Sequence, residues 1–137
     1  MTQNEVLQLY TAKFLKLKQG NNTCSISRMQ VTSMHGYQLI DACPIRPLSI
    51  YNDDTVLNVF ALCPTLRRAF DRGMIGVNEN YRVVVSRYIK EEDTAFSLNK
   101  LAGVELYLPM PEAYYPLVGI FVAFGGTVCE VKENIFT

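Results

Sequence analysis

Apolar side chains recur at helical spacing near the start of the chain. Over residues 4–18 they stand three or four positions apart, at Val6, Tyr10, Phe14 and Leu17. Lys13 and Lys16 fall on the other faces of the same helical projection. This period of about 3.6 predicts an amphipathic helix. The run Gly20-Asn21-Asn22 is typical of a helix end and predicts where it stops.

Two apolar runs further along predict strands. Residues 24–32 predict a short irregular strand, and His35 with Gly36 predicts the turn that follows it. Residues 37–42 predict a second strand. Because proline has no backbone N–H, Pro44 and Pro47 require that strand to end there or to lie at a sheet edge.

A strand followed by a helix is predicted from residue 59 onwards. Residues 59–63 form a short apolar run, and Pro64 suits the first turn of a helix. Gly73 suits the end of that helix. Between Pro64 and Gly73, the helical spacing of Leu66, Ala69 and Phe70 predicts that one face of the helix points into the core.

The rest of the chain predicts short elements separated by turns. They are a β-hairpin over 74–77 and 81–86, a solvated acidic loop at 91–93, one helical turn at 97–102, a strand at 105–108, and two strands at 117–124 and 127–131. The hairpin turn is expected at 78–80, since Asn-Glu-Asn favours turns. Pro109 and Pro111 are expected to end the strand that begins at residue 105.

The segment from Asn58 to Gly73 carries a resemblance to a known family. It reads Asn-Val-Phe-Ala-Leu-Cys-Pro-Thr-Leu-Arg-Arg-Ala-Phe-Asp-Arg-Gly. The core of restriction-type HNH endonucleases reads roughly Asn-Gly-x-x-Leu-Cys-Pro-x-Leu-His-x-x-Phe-Asp-Arg-Gly and is similar to it. The upstream piece that matches runs Leu-Ile-Asp-Ala-Cys-Pro-Ile-Arg-Pro over residues 39–47.

The resemblance implies an α+β fold. It implies a ββα-metal core (His-Me finger) preceded by a helix and extended by further β-hairpins. The motif core covers about residues 24–108, and residues 113–137 diverge from the family pattern. At 137 residues the chain suits a single HNH-like domain spanning 1–137.

Two of the three positions that give the family its name are substituted. In active relatives a histidine general base stands where this chain has Pro44, and a metal-binding histidine stands where it has Arg67. Proline has no titratable group, and a guanidinium has no lone pair to give to a metal. Asn58 matches the central asparagine. Val59 replaces the usual glycine, which implies a different backbone conformation there.

Other side chains are candidate replacements for the two missing groups. His35 is the single histidine, and an exposed turn histidine is its simpler interpretation. Asp41, Asp53 and Asp54 are weak candidates for metal ligands, because carboxylate oxygens suit hard cations. A structural hydrogen bond for Asp41 and plain solvation for the adjacent loop pair are at least as good. No metal site is therefore predicted with assurance.

Arginines give the motif a second possible use. Arg67 places a permanent positive charge where the metal stands in relatives, and an arginine fork grips a phosphate in two-point geometry. Arg68, Arg72 and Arg46 are further phosphate-binding candidates. The alternative is that Arg67 pairs with Asp71 four residues on, which is a modest surface contact. Both interpretations stay open.

Charge and cysteines add modest constraints. Residues 1–90 hold 11 Lys and Arg against 6 Asp and Glu, whereas residues 91–137 hold 2 against 7. The basic part carries the nuclease-like motif, which suits a polyanionic partner. The cysteines, at 24, 43, 63 and 129, form no Cys-x-x-Cys pair, and buried thiols are expected. Cys63 beside a helix start is a site where a thiol pKa can be lowered.

Three functions follow as alternatives. The preferred one is a catalytically degenerate HNH-like module that binds nucleic acid or a protein partner without cleavage. The others are an active metal-dependent endonuclease with relocated ligands, and a purely protein-binding module. DNA, a protein partner or a homodimer are the expected partners. No cofactor is expected unless the second alternative holds. The polar start and the short apolar runs predict a cytoplasmic protein without membrane contact.

Overall fold

A computed structural model describes residue 3, residues 12–13, 15–45 and 58–116, and the backbone of 121–124 and 127–130. The chain divides into two compact units. Unit 1 comprises Met1–Pro64 and Tyr107–Leu117, and unit 2 comprises Thr65–Leu106 and Val118–Thr137. Helices and small antiparallel sheets alternate along the sequence, so the architecture is α+β.

Unit 1 is built on a two-stranded antiparallel sheet. Strand β1 (Asp41–Pro44) pairs with strand β2 (Val59–Leu62), and Pro44 stands opposite Val59. In a two-stranded sheet each strand is an edge strand, which tolerates a proline at its end. The predicted 37–42 strand is therefore shifted to Asp41–Pro44. Among the most deeply buried apolar side chains of this unit are Cys24, Ile26, Ile40, Cys43, Val59, Phe60, Ala61 and Leu62.

The helical residues of unit 1 confirm the predicted N-terminal helix in the part that the structure describes. Residues 12–13 and 15–19 are helical, and the chain turns at 20–22. Asn21 and Asn22 adopt positive φ values of 56° and 50°, which asparagine accepts more readily than most residues. Val6, Tyr10 and Phe14 lie outside the described residues. Lys16 is 1% exposed, so its assignment to a polar face was wrong.

No regular strand forms over residues 24–32, which corrects that prediction. The chain turns at 25–27 instead, where the Arg28 amide donates to the Cys24 carbonyl at 3.0 Å. The backbone of Ser25 bonds to two other segments, donating to Ala61 at 2.9 Å and accepting from Tyr107 at 2.7 Å. One isolated bridge joins Thr32 to Gln38 around the predicted turn, where Gly36 has a φ of +87°.

Unit 2 contains the helix that the sequence predicts. Helix α1 (Pro64–Asp71) buries Leu66, Ala69 and Phe70, as expected from their spacing. The helix ends in a Schellman motif, in which Gly73 donates to Phe70 at 3.1 Å and Met74 donates to Ala69 at 2.9 Å. Gly73 has a φ of +72°, a conformation that costs glycine nothing because it has no Cβ.

Two hairpins complete unit 2. Strand β3 (Ile75–Val77) pairs with strand β4 (Val83–Val85), and strand β5 (Phe121–Phe124) pairs with strand β6 (Thr127–Glu130), both antiparallel. Both hairpins were predicted. The predicted turn at 97–102 is a 3-10 helix over Leu98–Leu101.

The predicted strand at 105–108 is reduced to one bridge between Arg82 and Glu105. The chain runs beside β4 there for only a few residues. The Gly103 amide donates to the Val83 carbonyl at 2.8 Å, and the Leu106 amide donates to the Tyr81 carbonyl at 2.9 Å. A further 3-10 turn, Glu112–Tyr114, belongs to unit 1. Within the described part of the chain, no helix combines the length and apolar character needed to cross a bilayer.

Candidate functional site

Pro44 is the last residue of strand β1, and the backbone that follows it is hydrogen-bonded to the start of the second strand. The amide of the next residue, Ile45, donates to the Asn58 carbonyl at 2.7 Å. Asn58 is 2% exposed and Val59 is 1% exposed, so both are buried where the second strand begins. A valine fills this buried position, which supplies packing that glycine would not.

Arg67 lies on helix α1 and forms the ion pair that the sequence offered as an alternative. Its Nε lies 3.8 Å from Asp71 Oδ2, one helical turn away. The two side chains are 38% and 52% exposed. An exposed pair of this spacing contributes little to stability, roughly 0.3–0.5 kcal/mol. The Asp71 contact by itself therefore holds the guanidinium weakly, and part of the Arg67 side chain is open to solvent.

The remaining candidates are distributed over both units. Pro44, Asn58 and Asp41 belong to unit 1, while Arg67, Arg68 and Arg72 belong to unit 2. Arg68 and Arg72 are exposed. Arg46, Asp53 and Asp54 lie outside the described residues.

His35 occupies an exposed turn, as its simpler interpretation predicted. Asp41 is half-buried in strand β1 opposite Leu62. Among the described residues no three His, Cys, Asp or Glu side chains gather in a way that holds a metal ion. The donor chemistry of Pro44 and Arg67 also does not fit a divalent metal, because neither side chain offers a lone pair.

A thiol cluster in unit 1 was missed by sequence reasoning. Cys24 and Cys63 are buried free cysteines, 0% and 5% exposed. The backbone amide of Ser27 donates to Cys24 Sγ at 3.4 Å, and the Ser27 hydroxyl donates to Cys63 Sγ at 4.0 Å. Hydrogen bonds from Cys63 and then Ser27 lower the pKa of Cys24 to about 5, against the opposing effect of burial.

A lowered thiol pKa is thus found at Cys24, which the sequence did not single out. The cause is a set of hydrogen bonds to the sulfur, which favour the thiolate. Cys24 and Cys63 lie far apart in the chain, and no spacing rule connects them. Only the folded chain brings the two sulfurs together.

Buried Lys16 is the second ionisable group that the sequence did not reveal. Its Nζ donates to the Tyr114 carbonyl at 2.9 Å. Burial lowers the pKa of Lys16 to about 8, because the charged ammonium loses its hydration. A polar contact deep in unit 1 therefore joins the N-terminal helical residues to the second 3-10 turn.

Comparisons with known proteins find a matching family model and a similar solved structure. Residues 24–78 match the model of a family described as HNH endonuclease. Among solved structures, a modification dependent TagI restriction endonuclease is similar, with a TM-score of 0.54 and 18% identity. That match covers 78% of this chain and 33% of the other, so this chain spans about a third of the neighbour's length. A search of curated proteins found no match.

These comparisons confirm the resemblance that the motif residues carried, and they confirm the α+β, HNH-like fold. The family match includes Pro44, Asn58 and Arg67, so these three motif positions lie inside the matching segment. The structural neighbour extends the likeness in fold beyond that segment.

Proposed function

We propose, from the premise that residues 24–78 belong to the HNH endonuclease family, that this nuclease-like chain binds nucleic acid without cutting it. One observation carries the proposal. The two motif positions that supply a general base and a metal ligand in active relatives hold Pro44 and Arg67. The frame of the motif is kept and its two reactive groups are replaced.

The chemistry of Pro44 supports the loss of cleavage. Hydrolysis of a phosphodiester needs a group that takes a proton from the attacking water, within hydrogen-bond reach and with a pKa near neutral. The side chain of Pro44 is a saturated ring that accepts no proton. The backbone amide of the next residue, Ile45, is also engaged, because it donates to the Asn58 carbonyl at 2.7 Å.

The chemistry of Arg67 supports retained binding. A metal in such sites neutralises charge on the phosphate, and a guanidinium supplies a positive charge with a planar pair of donors. Its existing partner, Asp71, is separated from it by 3.8 Å and is half exposed. The contact with Asp71 is a surface ion pair of a kind that contributes little to stability. Arg68 and Arg72 stand exposed nearby along the same helix and its terminal turn.

A cleavage assay run beside a binding assay tests the proposal. Plasmid DNA, with and without base modification, is incubated with the purified chain and Mg²⁺, Mn²⁺, Ni²⁺ or Zn²⁺. We expect salt-sensitive binding and no cleavage. The modified substrate is included because the structural neighbour is described as modification dependent.

If the chain is instead an active nuclease with relocated ligands, cleavage is expected in the same assay. Cleavage that follows the protein through purification, and disappears on replacing Asp41 or the Asp53 and Asp54 pair, would contradict our proposal. The double change Pro44→His with Arg67→His is expected to restore metal binding, measured by calorimetry. It is not expected to restore cleavage, because Val59 and the groups that orient the ligands also differ.

A protein-binding module is the second candidate, and one observation favours it. The turn that precedes β1 exposes several large apolar side chains, among them Val31, Met34 and Tyr37, of which Met34 is 94% and Tyr37 77% exposed. Apolar groups on a polar surface often mark contact sites. Absence of nucleic-acid binding together with a stable dimer in sedimentation experiments would favour this candidate over ours.

A further inference from the structure

Unit 2 contains an open cavity that the motif does not explain. Its volume is about 610 Å³, within the range of about 300–1,000 Å³ typical of small-molecule sites. It lies between the end of helix α1 and the segment that follows strand β4. The lining includes three apolar side chains, Met74, Ile89 and Leu98, together with Arg72, Tyr88 and Lys90.

Two positive charges line this cavity without an acidic partner among the described residues. Three other cations of unit 2 are engaged in ion pairs, since Arg67 pairs with Asp71, Arg82 with Glu105, and Lys100 with Asp93. Neither Arg72 nor Lys90 forms such a pair with any residue that the structure describes, and both are exposed. Two unpaired cations beside one cavity attract an anion.

Glu91 is the acidic residue of the cavity wall, and its carboxylate already accepts two hydrogen bonds. The two carboxylate oxygens of Glu91 accept the amides of Leu98 and Asn99 at 2.8 and 2.9 Å. The Asn99 amide and then the Leu98 amide hold the pKa of this carboxyl below its usual range. Glu91 therefore secures the 3-10 helix that carries Leu98, and its charge is partly compensated by these donors.

The loop behind this wall is braced by a second set of bonds. The Ser97 hydroxyl donates to the Glu92 carbonyl at 2.9 Å and accepts the Thr94 amide at 2.9 Å. Ser97 is buried, at 7% exposure. The cavity wall is thus held in place before a ligand arrives, which lowers the entropic cost of binding.

An aromatic ring stands beside the two cations. Tyr88 is 76% exposed, although its amide is anchored to the Ser86 hydroxyl at 3.2 Å. The Arg87 guanidinium lies over the ring, 5.7 Å from its centroid. A base stacks on an exposed aromatic face, and cations beside it hold the backbone, in proteins that bind single strands.

We propose that this cavity binds one nucleotide of a single-stranded nucleic acid, with its phosphate on Arg72 and Lys90 and its base against Tyr88. The inference rests on the proposed function, since it names the strand form that the module holds. It adds a contact site built from residues 72–98, most of it outside the segment that matches the nuclease family.

Fluorescence polarisation with a labelled twelve-residue thymidine strand, and with a duplex of equal length, tests the charge contacts. The double variant Arg72→Gln with Lys90→Gln should weaken single-strand binding at least about tenfold. Its salt slope should fall by about 1.4, which is 0.7 for each of two single-strand phosphate contacts. The charge-matched control Arg82→Gln with Lys100→Gln should change affinity less than about twofold.

A second pair of variants tests the aromatic contact. Tyr88→Leu should weaken single-strand binding by about 5- to 160-fold, the range for loss of one stacked base. Tyr37→Leu is the matched control, because Tyr37 is equally exposed, at 77%, and belongs to unit 1. Equal losses in Tyr88→Leu and Tyr37→Leu, or equal losses in the two charge variants, would overturn the cavity assignment.

Titration with thymidine 5′-monophosphate, followed by amide NMR shifts, separates this inference from the proposed function. Shifts confined to the cavity residues support the cavity even if the chain binds neither the strand nor the duplex, in which case the proposed function fails. Normal strand binding in the cavity variants leaves the function standing and rejects the cavity. Equal shifts with inorganic phosphate alone would show an anion site and reject nucleotide recognition.

Discussion

The two compact units differ in whether several of their ionisable side chains are buried or exposed. Unit 1 buries Lys16 and Cys24, each at most 1% exposed, and the pKa of both is lowered. Unit 2 keeps Arg67, Arg72 and Lys90 at the surface. A buried group whose pKa changes on folding makes stability depend on pH. A cation at the surface contributes little to stability and remains available to an anionic ligand.

The largest expected effect concerns Cys24. Its thiol titrates near 5 in the folded chain and at 9.0 ordinarily. Between these values the unfolded chain holds the proton that the folded chain has released, so the free energy of unfolding rises with pH. The slope is at most about 1.4 kcal/mol per pH unit. This contribution is complete above pH 9 and is lost as pH falls through 5.

Urea unfolding at intervals from pH 5 to 9 measures that slope, and Cys24→Ala should flatten it. Cys43→Ala is the matched control, because Cys43 is equally buried in the same unit. It should lower stability through lost packing and leave the slope unchanged. An unaltered slope in Cys24→Ala would show that the Cys24–Cys63 contact does not stabilise a thiolate.

The next effect concerns Lys16, in a more alkaline window. Its pKa is about 8 in the folded chain and 10.5 ordinarily. The folded chain releases this proton first, so the free energy of unfolding should rise between pH 8 and 10.5. The limiting slope is again about 1.4 kcal/mol per pH unit. The gain is complete above pH 10.5 and disappears as pH falls through 8.

Lys16→Met should remove this rise, because it keeps an unbranched apolar chain without a charge. Lys18→Met serves as control, since Lys18 is exposed on the same helical segment and should retain the slope of the unaltered protein. Equal slopes in both variants, measured by urea unfolding, would place the Lys16 ammonium in contact with water.

A smaller effect is expected for Arg67, and it concerns binding. If Arg67 grips a phosphate, Arg67→Ala should weaken nucleic-acid binding by roughly 1.5–3 kcal/mol and lower the salt slope by about one phosphate contact. The loss should be similar for different sequences, because a phosphate grip carries no base information. Arg67→Lys should recover only part of the loss, since the planar fork is missing.

The smallest effect tests the ion pair on helix α1. Asp71→Ala should lower stability by about 0.3–0.5 kcal/mol, the range for an exposed pair one turn apart. It should leave nucleic-acid binding equal or stronger, because it frees the Arg67 guanidinium. Weakened binding in Asp71→Ala, or unchanged binding in Arg67→Ala, would favour the ion pair as the sole role of Arg67.

The sequence alone determined the elements whose cause is local. The spacing of Leu66, Ala69 and Phe70 between Pro64 and Gly73 predicted helix α1, and short apolar runs on either side of a turn predicted both hairpins of unit 2. These patterns suffice because helical spacing records which face of a helix is buried, and turn residues between two apolar runs mark a hairpin. The motif residues identified the nuclease family in the same direct way.

Tertiary structure alone decided what distant residues do to one another. In the sequence Lys16 resembles a surface lysine, but in the fold its Nζ donates to the Tyr114 carbonyl. Cys24 resembles an ordinary thiol, but in the fold Cys63 and Ser27 form hydrogen bonds with its sulfur. The predicted strand at 24–32 is replaced by a turn at 25–27, and the predicted strand at 105–108 is reduced to one bridge beside β4. Hydration, hydrogen bonding and pKa depend on such long-range contacts, which no local period records.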